Sequence, residues 1–152
     1  KFNSFRITNT AYAQSNVGIN TLTPTASLEV VGTIKGTLKS CAETQSIPVL
    51  ASGVITLDLT AGAIFTYQRT TAAVTVVFSN QHTGTANTLA TSFTVVLNSL
   101  TTAGTVVWPA TVKWSGATAP VLTSLTGKTD IISFMTVDQG VSWFGFLAGN
   151  NF

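Results

Sequence analysis

Hydrophobic and polar positions alternate with a period of two through the second two thirds of the chain. In "GVITLDLT" this puts Ile55, Leu57 and Leu59 on one face, because successive side chains of an extended strand point to opposite sides. "AVTVVFSN" aligns Val74, Val76 and Phe78, and "TSFTVVLNS" aligns Phe93, Val95 and Leu97. "DIISFMTV" sets Ile132, Phe134 and Thr136 against Ile131, Ser133, Met135 and Val137. Further strands are predicted near "AIFTYQR", "TVVWP", "ATVKW", "PVLTSLT" and "VSWFGFL". That makes about nine, at the spacing of an antiparallel sandwich or jelly roll. The stretches between them carry the Gly, Asn, Asp and Pro residues with which chains reverse. Pro109 and Pro120 cannot donate to a ladder and belong at strand ends or edges. No stretch of a dozen residues carries a helical period, so residues 49–152 are predicted to form an all-β head.

Residues 1–48 read differently. They are punctuated by Asn, Thr and Gly, with one short apolar alternation at Leu28, Val30 and Ile34. The pattern predicts an extended arm or stalk strand, with Thr37–Ser46 as a linker. Such a segment, expected to have no partner in its own chain, needs identical copies beside it. Three-fold association would let Leu28, Val30 and Ile34 face one another around the axis.

Composition sharpens this. Of 152 residues 45% are hydrophobic and only 8% charged, against about 25% charged in ordinary soluble domains. Neutral Thr, Ser and Asn supply polar surface, and burial between subunits is the second way to cover the rest. A homo-oligomer is expected. The net charge of +2 is spread along the chain with no basic patch, which argues against nucleic acid as a partner. No apolar run reaches the ~18 residues that cross a bilayer. "AYAQ" resembles a signal-peptide cleavage site, but the preceding "KFNSFRITNT" lacks the apolar stretch of one.

Catalytic chemistry finds little support. Glu29, Glu43, Asp58, Asp130 and Asp138 are scattered; a glycosidase pair would have to be assembled by folding. His82 is the sole histidine and sits in a polar loop, without a nucleophile elbow elsewhere. Cys41 is the sole cysteine, and with one His gives no metal-ligand spacing. Glycines form no phosphate-binding pattern. No catalytic residue, cofactor or metal is expected.

The aromatics are more informative. Trp108 and Trp114 flank "PATVK" and, with Lys113, could present a flat sugar-binding platform; the competing expectation packs them as core or interface. In "WFGFLAGNNF", Trp143 falls on one face of a strand and Phe144 and Phe146 on the other. Aromatics on both faces call for burial on both, once inside the sandwich and once against a neighbouring subunit.

Two blocks resemble known virion proteins. "VGINTLTPTASLEVVGTI" resembles the G-I-G-T-x-x-P-x-x-x-L-x-V-x-G motif of phage tail-fibre and other virion fibre proteins, and of some bacterial secreted surface proteins. It is met by Gly18, Ile19, Thr21, Pro24, Leu28, Val30 and Gly32, and departs at Asn20 where Gly is usual. The second block resembles a β-rich head of tailed-phage virion proteins, with W-P-x-x-V-K-W-x-x-x-x-x-P and W-x-G-x-x-A-G-x-x-F patterns. It rests on Trp108, Pro109, Val112, Lys113, Trp114, Pro120, Trp143, Gly145, Ala148, Gly149 and Phe152, with Phe144 inserted. The resemblance implies a structural virion protein with a projecting β head: a homotrimeric tail fibre, head fibre or capsid decoration. The arm would then attach to other virion proteins, and the head could contact host-surface polysaccharide. A secreted bacterial adhesin or carbohydrate-binding module is the alternative.

Overall fold

The computed structural model of the chain describes residues 44–81 and 90–152, together with the backbone pairing of Val17–Ile19 and Leu28–Val30. The chain divides into two compact units, Lys1–Cys41 and Ala42–Phe152. In the first, β1 (Val17–Ile19) and β2 (Leu28–Val30) pair in parallel, Val17 opposite Leu28 and Ile19 opposite Val30. Leu28 and Val30 therefore have a strand partner within their own chain, which corrects the expectation that this segment is unpaired when alone. Backbone N–H and C=O groups seek partners wherever two short β-prone stretches lie close in sequence, and an intrachain partner is always present. Ile34, Cys41 and His82 lie outside the described residues.

The second unit contains β3 (Gln45–Ser46), β4 (Leu50–Ala51), β5 (Val54–Asp58), β6 (Ile64–Arg69), β7 (Val74–Ser79), β8 (Thr91–Ser99), β9 (Val106–Val107), β10 (Val112–Trp114), β11 (Thr129–Thr136) and β12 (Trp143–Gly149). They form a six-stranded sheet in the order β10-β12-β11-β8-β6-β3 and a four-stranded sheet in the order β4-β5-β7-β9. Gln45 of β3 pairs with Ile64 of β6. β3 thus lies in a sheet of the second unit.

The head is all-β and built of two sheets, as its alternation requires, but the sheets are mixed where antiparallel pairing was expected. β11 runs antiparallel to β8 and β12, and β4 to β5. The pairs β10/β12, β3/β6, β6/β8, β5/β7 and β7/β9 are parallel. Alternation fixes the face a strand buries and is silent about the direction of its neighbour. A parallel pair needs a crossover. Here β5, β6, β7 and β8 alternate between the sheets, so a strand of the opposite sheet does the work usually left to a helix.

The inner faces meet in one core: Ile55 and Leu57 of β5, Val74 and Val76 of β7, Phe65 and Tyr67 of β6, Phe93, Val95 and Leu97 of β8, Ile132 and Phe134 of β11, and Trp143 of β12. At one end Phe78, Phe93, Phe134 and Trp143 cluster. Phe78 stands edge-on to the other three at centroid separations of 4.9, 5.1 and 5.3 Å. Each such pair contributes about 0.5–1.5 kcal/mol beyond area burial.

The predicted strand in "PVLTSLT" does not join a sheet, because its backbone is claimed by side chains at the opposite end of the sandwich. Arg69 Nη1 donates to the Thr123 carbonyl at 2.8 Å, and the Thr123 N–H donates to Asp130 Oδ2 at 2.7 Å. Ser99 Oγ also donates to the Thr123 carbonyl, at 3.3 Å. A segment whose donors and acceptors are satisfied this way has no ladder to make.

Candidate interaction surface

The outer face of the six-stranded sheet is where the chain leaves large apolar groups uncovered. β12 carries the reason in its order of residues: Trp143 enters the core at 2% exposure, while Phe144 and Phe146 point outward at 41% and 50%. Strand pairing builds a patch around them. Phe144 lies opposite Met135 of β11, which lies opposite Ser92 of β8. Phe146 lies opposite Ser133, which lies opposite Thr94, and those two hydroxyls hydrogen-bond at 3.2 Å. Farther along, Ile131 pairs with Val96. Phe152 completes the patch, its ring lying over Gly149 where a Cβ would collide with it. Its backbone is fixed by reciprocal bonds with Thr129 at 3.1 and 3.3 Å.

Charge is nearly absent here. On the other flank of Phe144 its paired neighbour is Lys113 of β10. Among the described residues the only other charged side chains are Asp58, Asp138, Lys128 and the buried pair Arg69 and Asp130. Asp58 and Asp138 sit in turns at strand ends and act there as local acceptors. Asp58 Oδ1 receives Thr60 Oγ1, Asn80 Nδ2 and the Thr60 N–H at 2.6, 2.9 and 3.0 Å. Asp138 Oδ1 receives the Ser142 N–H at 2.9 Å and Thr136 Oγ1 at 2.7 Å. These bonds hold both carboxyls below the usual aspartate range, because each stabilises the ionised form. Among the described residues no group of three or more His, Cys, Asp or Glu side chains is gathered that could hold a metal ion.

Of the three residues considered for sugar contact, the two tryptophans come together and Lys113 stands apart. Trp108 and Trp114 come together at 5.8 Å and pack on Phe134 at 5.1 and 5.8 Å, half-buried against the core. Lys113, between Val112 and Trp114 in β10, faces the other way and is exposed. Gly145 explains the seat of Trp114: a Cβ there would lie 2.5 Å from its ring, so only glycine permits the approach. Of the residues considered for subunit contact, Phe144 and Phe146 share the outer face, while Leu28 and Val30 lie in β2 of the other unit. Met135 and Phe152 were missed. The alternation of "DIISFMTV" already placed Met135 opposite Phe134, but only the register of β11 against β12 shows that it meets Phe144.

Clustered exposed apolar side chains mark interaction sites, whereas isolated ones do not. This face can bury itself against another protein surface; among the described residues it presents no convergent set of acids, bases or nucleophiles. Compared with family models, with curated proteins and with solved structures, the chain matches none.

Proposed function

We propose that the chain is a structural protein of a virus particle, a homotrimeric fibre or spike whose β head projects outward and whose first unit attaches it. No catalytic activity is part of this reading. The observation that carries it is the outward pair Phe144 and Phe146, flanked by Met135, on a sheet face almost free of charge. An assembly of identical subunits is the simplest source of cover that is present wherever the chain is present, and closed symmetric homo-oligomers are the common outcome. Permanent interfaces of this kind are the more hydrophobic class.

Native mass spectrometry and light scattering on the full chain test the reading, with three chains per particle expected. Replacing both outward rings, Phe144→Ser with Phe146→Ser, removes apolar cover without touching the core and is expected to yield a folded monomer. A wild-type chain that stays monomeric at about 100 µM, a concentration at which even weak specific contacts of Kd near 10 µM are mostly formed, rejects the proposal.

A further inference from the structure

A pocket in the head has a buried donor in its lining with nothing to bond to. The pocket measures about 390 Å³ and is lined by Arg69, Val106, Trp108, Pro120, Leu122 and Ser124 among others. That volume is within the roughly 300–1,000 Å³ of pockets that take small ligands. Arg69 ends β6 with its side chain buried. Its guanidinium is bracketed by the two segments that wall the pocket, Nη2 donating to the Gly104 carbonyl and Nη1 to the Thr123 carbonyl. The Nε–H is left over. It is buried and has no acceptor among the described residues, whereas buried donors are almost always paired, because stripping one of water without replacement is costly.

The surroundings narrow what the acceptor is. Arg69 is already balanced by Asp130 at 3.6 Å, so a ligand anion would enter as an unmatched buried charge. The oxygen that takes the Nε–H is therefore neutral, a hydroxyl or an amide carbonyl. Val106, Leu122, Pro120 and Trp108 give the pocket apolar walls. One strong donor among apolar groups suits a carbonyl with a methyl beside it, which is an acetamido group. Thr105 and Ser124, exposed residues of the same lining, add hydroxyls that a hydroxylated ring can use and an alkyl stem cannot.

We propose that this pocket binds an N-acetylated amino sugar, its acetamido carbonyl accepting the Arg69 Nε–H and its methyl lying among Val106, Leu122 and Trp108. Nε is sealed from solvent, so the acceptor reaches it as the Gly104 and Thr123 segments part. The pocket shares no residue with the outer aromatic face. The inference therefore stands or falls apart from the oligomer.

Saturation-transfer difference NMR on the full chain with N-acetylglucosamine tests it. Saturation is expected to be strongest at the acetyl methyl, with a Kd of about 1 mM or tighter. Glucose, which lacks the acetamido group, should bind at least about tenfold more weakly. Arg69→Lys keeps a positive charge beside Asp130 and removes the Nε–H; Ala119→Trp, at an exposed position of the lining, fills the pocket and leaves Arg69 alone. Each should weaken N-acetylglucosamine about tenfold or more, in protein whose far-ultraviolet circular dichroism matches wild type. If Arg69→Lys does not fold, Ala119→Trp decides. Glucose binding equal to that of the amino sugar, preference for acetyl-lysine amide over the sugar, or sugar binding unchanged in Ala119→Trp overturns the inference. So does an absence of binding at about 20 mM, well above the expected Kd.

Discussion

The guanidinium of Arg69 lies 3.6 Å from the carboxylate of Asp130, and the two side chains are 4% and 1% exposed. This pair is the hub of one end of the sandwich. Arg69 Nη2 donates to the Gly104 carbonyl at 2.9 Å and Nη1 to Thr123. Asp130 receives the N–H groups of Thr123 and Asn151. Two loops, at Gly104 and Thr123, and the C-terminal segment are thereby tied to β6 and β11. Burial lowers the pKa of Arg69 from its ordinary value, and the neighbouring Asp130 charge opposes that shift.

Arg69→Met should therefore cost about 3–5 kcal/mol in urea denaturation, the usual penalty for leaving a buried charge without its partner. Adding Asp130→Asn removes the stranded charge while keeping an amide oxygen for the Thr123 or Asn151 N–H. The double variant is expected to be more stable than Arg69→Met alone. Equal or additive losses would show that the two residues act independently.

Gly145→Ala tests the seat of Trp114. The new methyl would meet the indole, and the cost expected is about 1–3 kcal/mol, that of overpacking a filled site. Because Trp114 and Trp108 pack edge to face and both lie on Phe134, displacement should red-shift and broaden the tryptophan emission. A variant with wild-type emission and stability would place the ring elsewhere.

The alternation along β5, β7, β8 and β11 was enough to put Ile55 with Leu57, Val74 with Val76, Phe93 with Val95 and Leu97, and Ile132 with Phe134 on common faces, and all of these are in the core. The same parity set Trp143 against Phe144 and Phe146, and in the structure Trp143 is buried and the two phenylalanines are exposed. Parity is a local property, and the sequence displays it directly. Strand direction, partner and register are not local. Nothing in "AVTVVFSN" tells that β7 runs parallel to both its neighbours, or that β11 brings Met135 beside Phe144. Asp130 is the sharper case: an acidic residue in an alternating strand reads as solvated. Only the distant Arg69 and the loop at Thr123 make its burial tolerable.

The outer face predicts how association responds to salt. With Lys113 the only charge beside Phe144 and Phe146 among the described residues, dissociation of the proposed trimer should change less than about threefold between 0.05 and 1 M sodium chloride, since screening acts on charges. Sulfate, which strengthens apolar burial, should tighten it. Sedimentation equilibrium across the salt series separates this from a charge-driven contact, which would loosen steadily.

Acid should weaken the head through Asp58 and Asp138. In both the folded state holds the carboxyl below its ordinary value of 3.8, chiefly through the Thr60 hydroxyl and Asn80 amide for Asp58 and the Ser142 N–H for Asp138. A group with a depressed folded pKa adds stability that is complete above its unfolded value and is lost as pH falls through the folded one. The contribution from these two is thus full at pH 5 and above, and fades below about pH 4. Asp58→Asn with Asp138→Asn removes the charges while leaving oxygens to accept. The urea midpoint of this variant should lie below that of wild type at pH 6, and the gap should close as pH drops toward about 2.5. Both carboxylates are near the surface, so the gap should be modest and shrink in high salt. A gap that held constant from pH 6 to pH 2.5 would mean that the substitutions disturb the turns sterically and that ionisation of Asp58 and Asp138 contributes nothing to the fold.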